Sequence, residues 1–192
     1  MSQQICSMAG VPVFIETNNF LLRSMVPNDV SVSFLRWMNS RDMMEGLNLA
    51  SINFTKEQII EYIRGFDNLN NYFIGIFDKK NNNTLIGFYT IDINLTHKLG
   101  NITAGVGEEG YVGKSVLWAT IDALLDHFYT YRDIYKMVAR ITTKNRRMLF
   151  CFVKNPRFTL EATLKEECRT PDGERVDILI FSSFRHEKIN DE

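Results

Sequence analysis

The chain lacks most of the features that narrow a protein's class at a glance. Its 192 residues hold three cysteines, Cys6, Cys151 and Cys168, with no CxxC pair among them. An odd, widely spaced set makes no disulfide framework and fits a reducing compartment. His97, His127 and His186 show no ligand-like spacing with one another or with cysteine, so no metal site is expected. Charge of one sign is missing too: 22 Lys+Arg against 23 Asp+Glu leave a net charge of −1. A near-neutral chain has no global field to hold nucleic acid non-specifically. No apolar run nears the roughly 20 residues of a membrane helix. The start, MSQQICSMAGVPVFI, lacks the charged end and long apolar stretch of a signal peptide. The sequons at Asn53, Asn82, Asn94 and Asn101 are then chance matches in an Asn-rich chain. The expected address is the cytoplasm, with neither membrane nor nucleic acid as partner. Repeats, low-complexity blocks and linkers are also absent. Residues 1–192 therefore read as one domain, with 1–12 a loose leader and 185–192 a polar tail.

What the chain does have is core-forming material. It is 45% hydrophobic and 12% aromatic, and a chain of this length buries roughly 70% of its unfolded surface without a staple. Val13 to Arg23 reads as one strand, and Pro27-Asn28-Asp29 opens a helix with Val30, Phe34, Leu35, Trp37 and Met38 on its apolar stripe. Asn39 to Asn53 is a loop rich in Met, Asn and Gly, long enough to be functional. Thr55 and Gln58 have capping-box spacing before a helix. Strands follow at 72–77, 84–93 and 99–106, the first two an antiparallel hairpin across an Asn-rich turn. A helix from Ser115 to Tyr129, a strand from Ile134 to Ile141 and a short helix from Asn145 to Val153 come next. Two strands, 158–168 and 176–184, close the chain across a Pro-Asp-Gly turn. The layout is α/β (α+β), with helices around one central, mixed, mostly antiparallel sheet.

The segment richest in chemistry is Gly-Glu-Glu-Gly-Tyr-Val-Gly-Lys-Ser, residues 107–115, between a strand and a helix. Its glycines let backbone amides approach a ligand, the helix presents its N-terminal dipole, and Lys114 adds charge. That makes a diphosphate cradle or a structural turn. It is not a P-loop, because Gly107 and Gly113 are six apart rather than five. Gly105 to Gly110 matches GxGxxG literally, but the helix begins too late for a dinucleotide fingerprint.

The layout and the run Val112-Gly113-Lys114-Ser115-Val116-Leu117 resemble the acyl-CoA motif of the GCN5-related N-acetyltransferases (GNAT), especially the branch acting on ribosomal-protein alanines and amino sugars. The family pattern is Gln/Arg-x-x-Gly-x-Gly/Ala, often written Trp-Gly-Lys-Gly-Tyr-Ala in that branch. Gly113 and Lys114 match, whereas Val112, Ser115 and Leu117 depart from it. A family Asn at the start of the next helix is matched by Asn145. The resemblance spans about residues 13–184.

The resemblance implies a GNAT-like acyl-CoA N-acyltransferase fold whose sheet splays beyond a bulge near Gly105–Gly107. Acetyl-CoA, the implied co-substrate, would lie along Val106, Gly107, Val112, Gly113, Lys114, Ser115, Val116, Leu117 and Asn145. It would react with a primary amine, either of a small molecule such as an amino sugar or of a peptide N-terminus. A short similarity of Phe34 to Asn39 to relatives that modify amino sugars favours the small molecule. Glu108, Glu109 and Asp92 are the base candidates, with Asp92 and Tyr89 lining the acceptor groove. Solvated loop charges and a half-exposed strand face are the plainer readings of the same residues. The Tyr that many relatives use as acid falls at Phe152 here, next to Cys151. That departure leaves a second reading open: a GNAT-like CoA-binding or interaction module without catalysis. A homodimer is compatible with either.

Overall fold

The computed structural model describes residues 10–50, 52–170 and 172–185. Cys6, His186, the first nine residues of the expected leader and residues 186–192 of the expected tail lie outside it. Residues 10–12 are tied down rather than loose: Gly10 N–H donates to Asp67 O at 2.9 Å and Arg132 donates to Val11 O at 2.5 Å. Arg185 is anchored as well, through Asp133 at 2.5 Å and the Tyr135 carbonyl at 2.8 Å.

The single strand expected over 13–23 is a hairpin, β1 (Phe14–Glu16) and β2 (Phe20–Ser24). Thr17 reverses the chain, its hydroxyl accepting from Phe20 N–H at 3.0 Å. Pro27–Asp29 is a 3-10 turn instead of the first turn of a helix. There Asp29 is occupied in a bidentate pair with Arg23, at 2.6 and 2.8 Å, and in accepting from Val26 N–H. Helix α1 (Val32–Met38) starts later, capped by Ser31. The expected loop of 39–53 contains α2 (Arg41–Gly46), whose cap Ser40 accepts from Met43 N–H at 3.2 Å and which buries Met44. Helix α3 (Lys56–Arg64) carries the reciprocal Thr55–Gln58 capping box.

The remaining elements are β3 (Asn71–Asp78), β4 (Thr84–Asn94), β5 (Leu99–Val106), α4 (Val116–Tyr131), β6 (Lys136–Thr142), α5 (Arg146–Lys154), β7 (Thr159–Arg169) and β8 (Arg175–Phe184). The eight strands form one sheet in the order β1-β2-β3-β4-β5-β6-β8-β7. Each neighbouring pair is antiparallel except β5–β6, which α4 joins as a crossover.

Two apolar layers sandwich the sheet. On one face, Tyr72, Ile74, Tyr89 and Ile91 pack under Leu124 and Phe128 of α4 and Phe152 of α5. On the other, Phe73 and Phe88 meet Phe34 and Trp37 of α1, Met44 of α2 and Ile59 of α3. With a strand period of two, β3 feeds both layers and is buried almost throughout.

The parallel pair is short. Its register runs from Leu99↔Lys136 to Ile102↔Ala139 and stops, although β5 continues to Val106 and β6 to Thr142. The splay therefore starts at Thr103, before the expected bulge. The β4–β5 pairing is one-to-one through Gly87↔Val106, and the bulge follows at once: Gly107 and Glu108 N–H both donate to Ile86 O, at 3.1 and 3.3 Å. What opens the sheet is the departure of β6 and not an irregularity in β5.

Candidate active site

Gly107 N–H donates to Ile86 O at 3.1 Å, across to β4. Antiparallel alternation then turns the amides and carbonyls of Ala104 and Val106 the other way, into the gap that β6 leaves. The gap opens into a cavity of about 830 Å3, with Ala104 and Val106 in its wall. An unpaired strand edge inside a cleft invites an extended ligand that supplies the missing hydrogen bonds.

The loop after β5 builds one side of that cavity. Gly107 is pressed against α1: a Cβ there would sit 2.2 Å from the Trp37 ring, so only glycine fits. A 3-10 turn, Glu109–Tyr111, follows. The Tyr111 phenol donates to the buried Asp78 carboxylate at 2.5 Å, and that bond raises its pKa above the usual tyrosine range. Gly113 (φ +79°) and Ser115 (φ +57°) then take left-handed backbone conformations that aim the chain into α4. For Ser115 this costs roughly 1 kcal/mol. Among the described residues, the amides of Gly113 and of Ser115 to Trp118 find no acceptor, and Ser115 makes no side-chain cap. A 16-residue helix thus presents bare N–H groups and its positive end to the cavity. The space beyond Gly113 is open. This end of the cavity fits a diphosphate.

All nine residues expected to hold the cofactor line this one cavity: Val106, Gly107, Val112, Gly113, Lys114, Ser115, Val116, Leu117 and Asn145. Asn145 is partly committed elsewhere. Its Oδ1 caps α5 at Met148 N–H, and its Nδ2 donates to Gly46 O of α2 at 2.8 Å, tying the two sides of the cleft together. Arg146 and Arg147 beside it face the cavity, whereas Lys144 turns away to Glu174 at 2.5 Å and Asp172 at 3.5 Å.

The expected acid–base residues fare worse. Tyr89 is not in the wall of this cavity. It is fully buried under α4, its hydroxyl 2.7 Å from Thr120 Oγ1, and burial pushes its pKa far up. Asp92 is exposed, and it cannot share a face with Tyr89, because residues three apart on a strand point opposite ways. Glu108 lies outside the cavity wall, and its neighbour Glu109 lies in it. The 3-10 turn that begins at Glu109 makes this choice. Phe152 is core, packed on Phe158 and Phe181, while Cys151 reaches the cavity with its thiol pKa raised by burial.

The second side of the cavity comes from α1 and α2, through Arg36, Trp37, Arg41, Asp42 and Met43. Trp37 and Met38 share the apolar stripe expected of the first helix, but only Trp37 also reaches the cavity; Met38, like Met44, is core. Arg36, Arg41 and Asp42 were not legible. Ser40, three residues before Met43, was the capping signal that could have revealed α2. Among the described residues no group of three or more His, Cys, Asp or Glu could hold a metal, and no helix is long and apolar enough to cross a membrane.

No family model matches the sequence, and no curated protein matches it significantly. Solved structures do match. A ribosomal-protein-S5-alanine acetyltransferase from Vibrio fischeri superposes with a TM-score of 0.77 at 16% identity, over 91% of this chain and 98% of that one. A spermidine N-acetyltransferase from Vibrio cholerae, in complex with CoA and spermine, gives 0.77 at 18%, over 88% and 96%. A GNAT-family acetyltransferase from Bacillus anthracis gives 0.75 at 16%, over 90% and 98%. The fold is that of the GCN5-related N-acetyltransferases. The β5–β6 gap and the bare N-terminus of α4 lie at the two ends of the cavity. The run that resembles the GNAT motif, and departs from it at Val112, Ser115 and Leu117, leads into α4.

Proposed function

We propose that the protein is an acyl-CoA-dependent N-acetyltransferase that moves an acetyl group from acetyl-CoA to a primary amine. The observation that carries this reading is the junction of an unpaired β5 edge with the bare amides opening α4, in one cavity. Each half suits one part of acetyl-CoA. The amides of Gly113 and of Ser115 to Trp118, with the side chains of Lys114, Arg146 and Arg147, bind the phosphates. The main chain of Ala104 and Val106 binds the pantetheine arm, and the Val106 amide polarises the thioester carbonyl as an oxyanion donor would.

The acceptor amine must lose a proton before it attacks. Asp42 and Glu109 are the carboxylates in the cavity wall, and Glu109 lies three residues past the end of β5, so it is our candidate base. The leaving thiolate has no tyrosine at position 152 and takes its proton from water. The structural neighbours named for spermidine and for a ribosomal-protein alanine support an amine acceptor of either class, a small molecule or a peptide N-terminus. Phe152 favours a second reading, a CoA-binding module without turnover.

A thermal melt with millimolar acetyl-CoA, against adenosine diphosphate as control, tests the binding half. Saturation at 100 times Kd adds about 2.7 kcal/mol, a shift of several degrees. Release of free thiol in the presence of an amine mixture tests turnover. No shift sinks the acetyl-CoA reading. A shift without thiol release with any amine leaves the module.

A further inference from the structure

The two sides of the cavity carry cations for different reasons. Lys114, Arg146 and Arg147 belong to the loop and helix that face the bare end of α4. Arg36 and Arg41 belong to α1 and α2, which pack on the opposite face of the sheet, over Phe73 and Phe88. They flank Trp37, whose ring covers Gly107 at the end of β5. On the proposed reading that point is the reaction centre, so Arg36 and Arg41 lie beyond it, on the acceptor's side.

Their surroundings neutralise one of them and not the other. Arg36 is exposed, and its guanidinium makes no ion pair or hydrogen bond among the described residues. Arg41 holds Glu45 through Nε at 2.5 Å, leaving its terminal nitrogens free of any partner among those residues. Counting the whole wall, five cations (Arg36, Arg41, Lys114, Arg146, Arg147) face two carboxylates, Asp42 and Glu109. A third group points the same way. Trp37 is 3% exposed, and its Nε1–H has no acceptor among the described residues. A buried donor left without a partner is rare, and an acceptor on a bound ligand would complete it. On this side Arg41 is balanced by Glu45, which leaves the Arg36 guanidinium and the Trp37 Nε1–H as the groups without a partner among the described residues.

We propose that the acceptor is a small amine that also bears an anionic group, a phosphate or a carboxylate, and that Arg36 is the residue that selects it. The anion pairs with Arg36, whose planar fork suits both oxyanions. The amine end faces Asp42 and Glu109. A polyamine has no anion for this wall, and its extra ammonium groups meet Arg36 and Arg41. The proposal rests on the acetyltransferase reading above.

Four amines test it in the presence of saturating acetyl-CoA: glucosamine 6-phosphate, an Asp-Glu dipeptide, uncharged-ring glucosamine and spermidine. The expected result is a kcat/KM for the phosphate or the acidic dipeptide at least about tenfold above glucosamine, with spermidine lowest. Which of the two anions wins identifies the source. Arg36→Ala should remove that advantage while leaving glucosamine turnover and the acetyl-CoA thermal shift unchanged, and Arg36→Lys should restore part of it. Titration of each anionic amine into CoA-loaded protein supplies a readout independent of chemistry. Equal or faster turnover of spermidine or glucosamine overturns the proposal. So does an equal loss on all amines in Arg36→Ala, a lost acetyl-CoA shift in that variant, or neither binding nor turnover of both anionic amines by acetyl-CoA-loaded protein. Absence of any acetyl-CoA shift in the unaltered protein is a different failure: it removes the acetyltransferase reading itself.

Discussion

The two sides of the cleft are built from different material. The side formed by β5, its loop and α4 works mostly through main chain: unpaired amides, two left-handed residues and a glycine that only a flat contact allows. The side formed by α1 and α2 works through side chains, namely Arg36, Trp37, Arg41, Asp42 and Met43. Main-chain groups are common to all residues. A site made of them survives substitution as long as the backbone path survives. That is why Ser115 and Leu117 can stand where the family pattern has Gly or Ala while the geometry persists. A side-chain wall has no such tolerance, and each replacement there alters what it recognises.

The comparison is most easily broken at Gly107, where the two sides touch. Gly107→Val drives a branched side chain into the Trp37 ring, and the contact at Cβ alone is already 2.2 Å. Overpacking of this kind costs about 1–3 kcal/mol. Denaturant unfolding should show that loss, and acetyl transfer should fall below detection because α1 and the loop can no longer meet. Unchanged stability would mean that Trp37 swings aside freely and is no fixed wall.

Glu109 and Glu108 sharpen the comparison chemically. Glu109→Gln should reduce kcat about a hundredfold, the low end of what a positioned base contributes. Glu108→Gln should stay within about twofold, since Glu108 lies outside the cavity wall. Equal effects, read from steady-state thiol release, would return the base assignment to Asp42.

Tyr111→Phe probes what holds the main-chain side in place. Its bond to Asp78 fastens the loop to the end of β3. Removing it leaves Asp78 with Lys80 N–H alone, at 2.8 Å. The KM for acetyl-CoA should rise about tenfold, equivalent to roughly 1.4 kcal/mol, with kcat nearly unchanged. A drop in kcat at constant KM would place Tyr111 in the chemistry instead of in the scaffold.

How much of this could be read from the sequence follows the same division. Periodicity located β3, β4, β5, α4 and α5 to within a few residues, because each alternates or repeats over a long enough stretch. The glycine loop and the nine cofactor positions followed from local pattern and family likeness together, and they do share one cavity. What was lost depended on contacts distant in sequence or on single-residue register. Asp92 and Tyr89 look like neighbours in sequence, yet a spacing of three puts them on opposite faces of β4. Glu108 and Glu109 differ only through where a three-residue turn begins. Helix α2 has six residues, too few to show a period, and only the cap at Ser40 marks it. The gap itself has no local signature, because it is made by β6 leaving after Ala139 and by nothing within β5.

Ser115→Gly is the smallest and most discriminating change. Ser115 sits at φ +57° without a side-chain cap, so its hydroxyl contributes no bond that the structure requires. Glycine adopts that conformation without the steric penalty, and loses more freedom on folding. The two effects nearly cancel, for a net gain of about 0.5 kcal/mol or less in unfolding free energy. If the main chain alone makes the phosphate end, affinity for acetyl-CoA measured by calorimetry should hold or improve, since the same amides are presented by a residue closer to the family pattern. A tenfold loss of affinity would show that the Ser115 hydroxyl itself binds the ligand. The main-chain side would then be, at that one position, a side-chain site like the other.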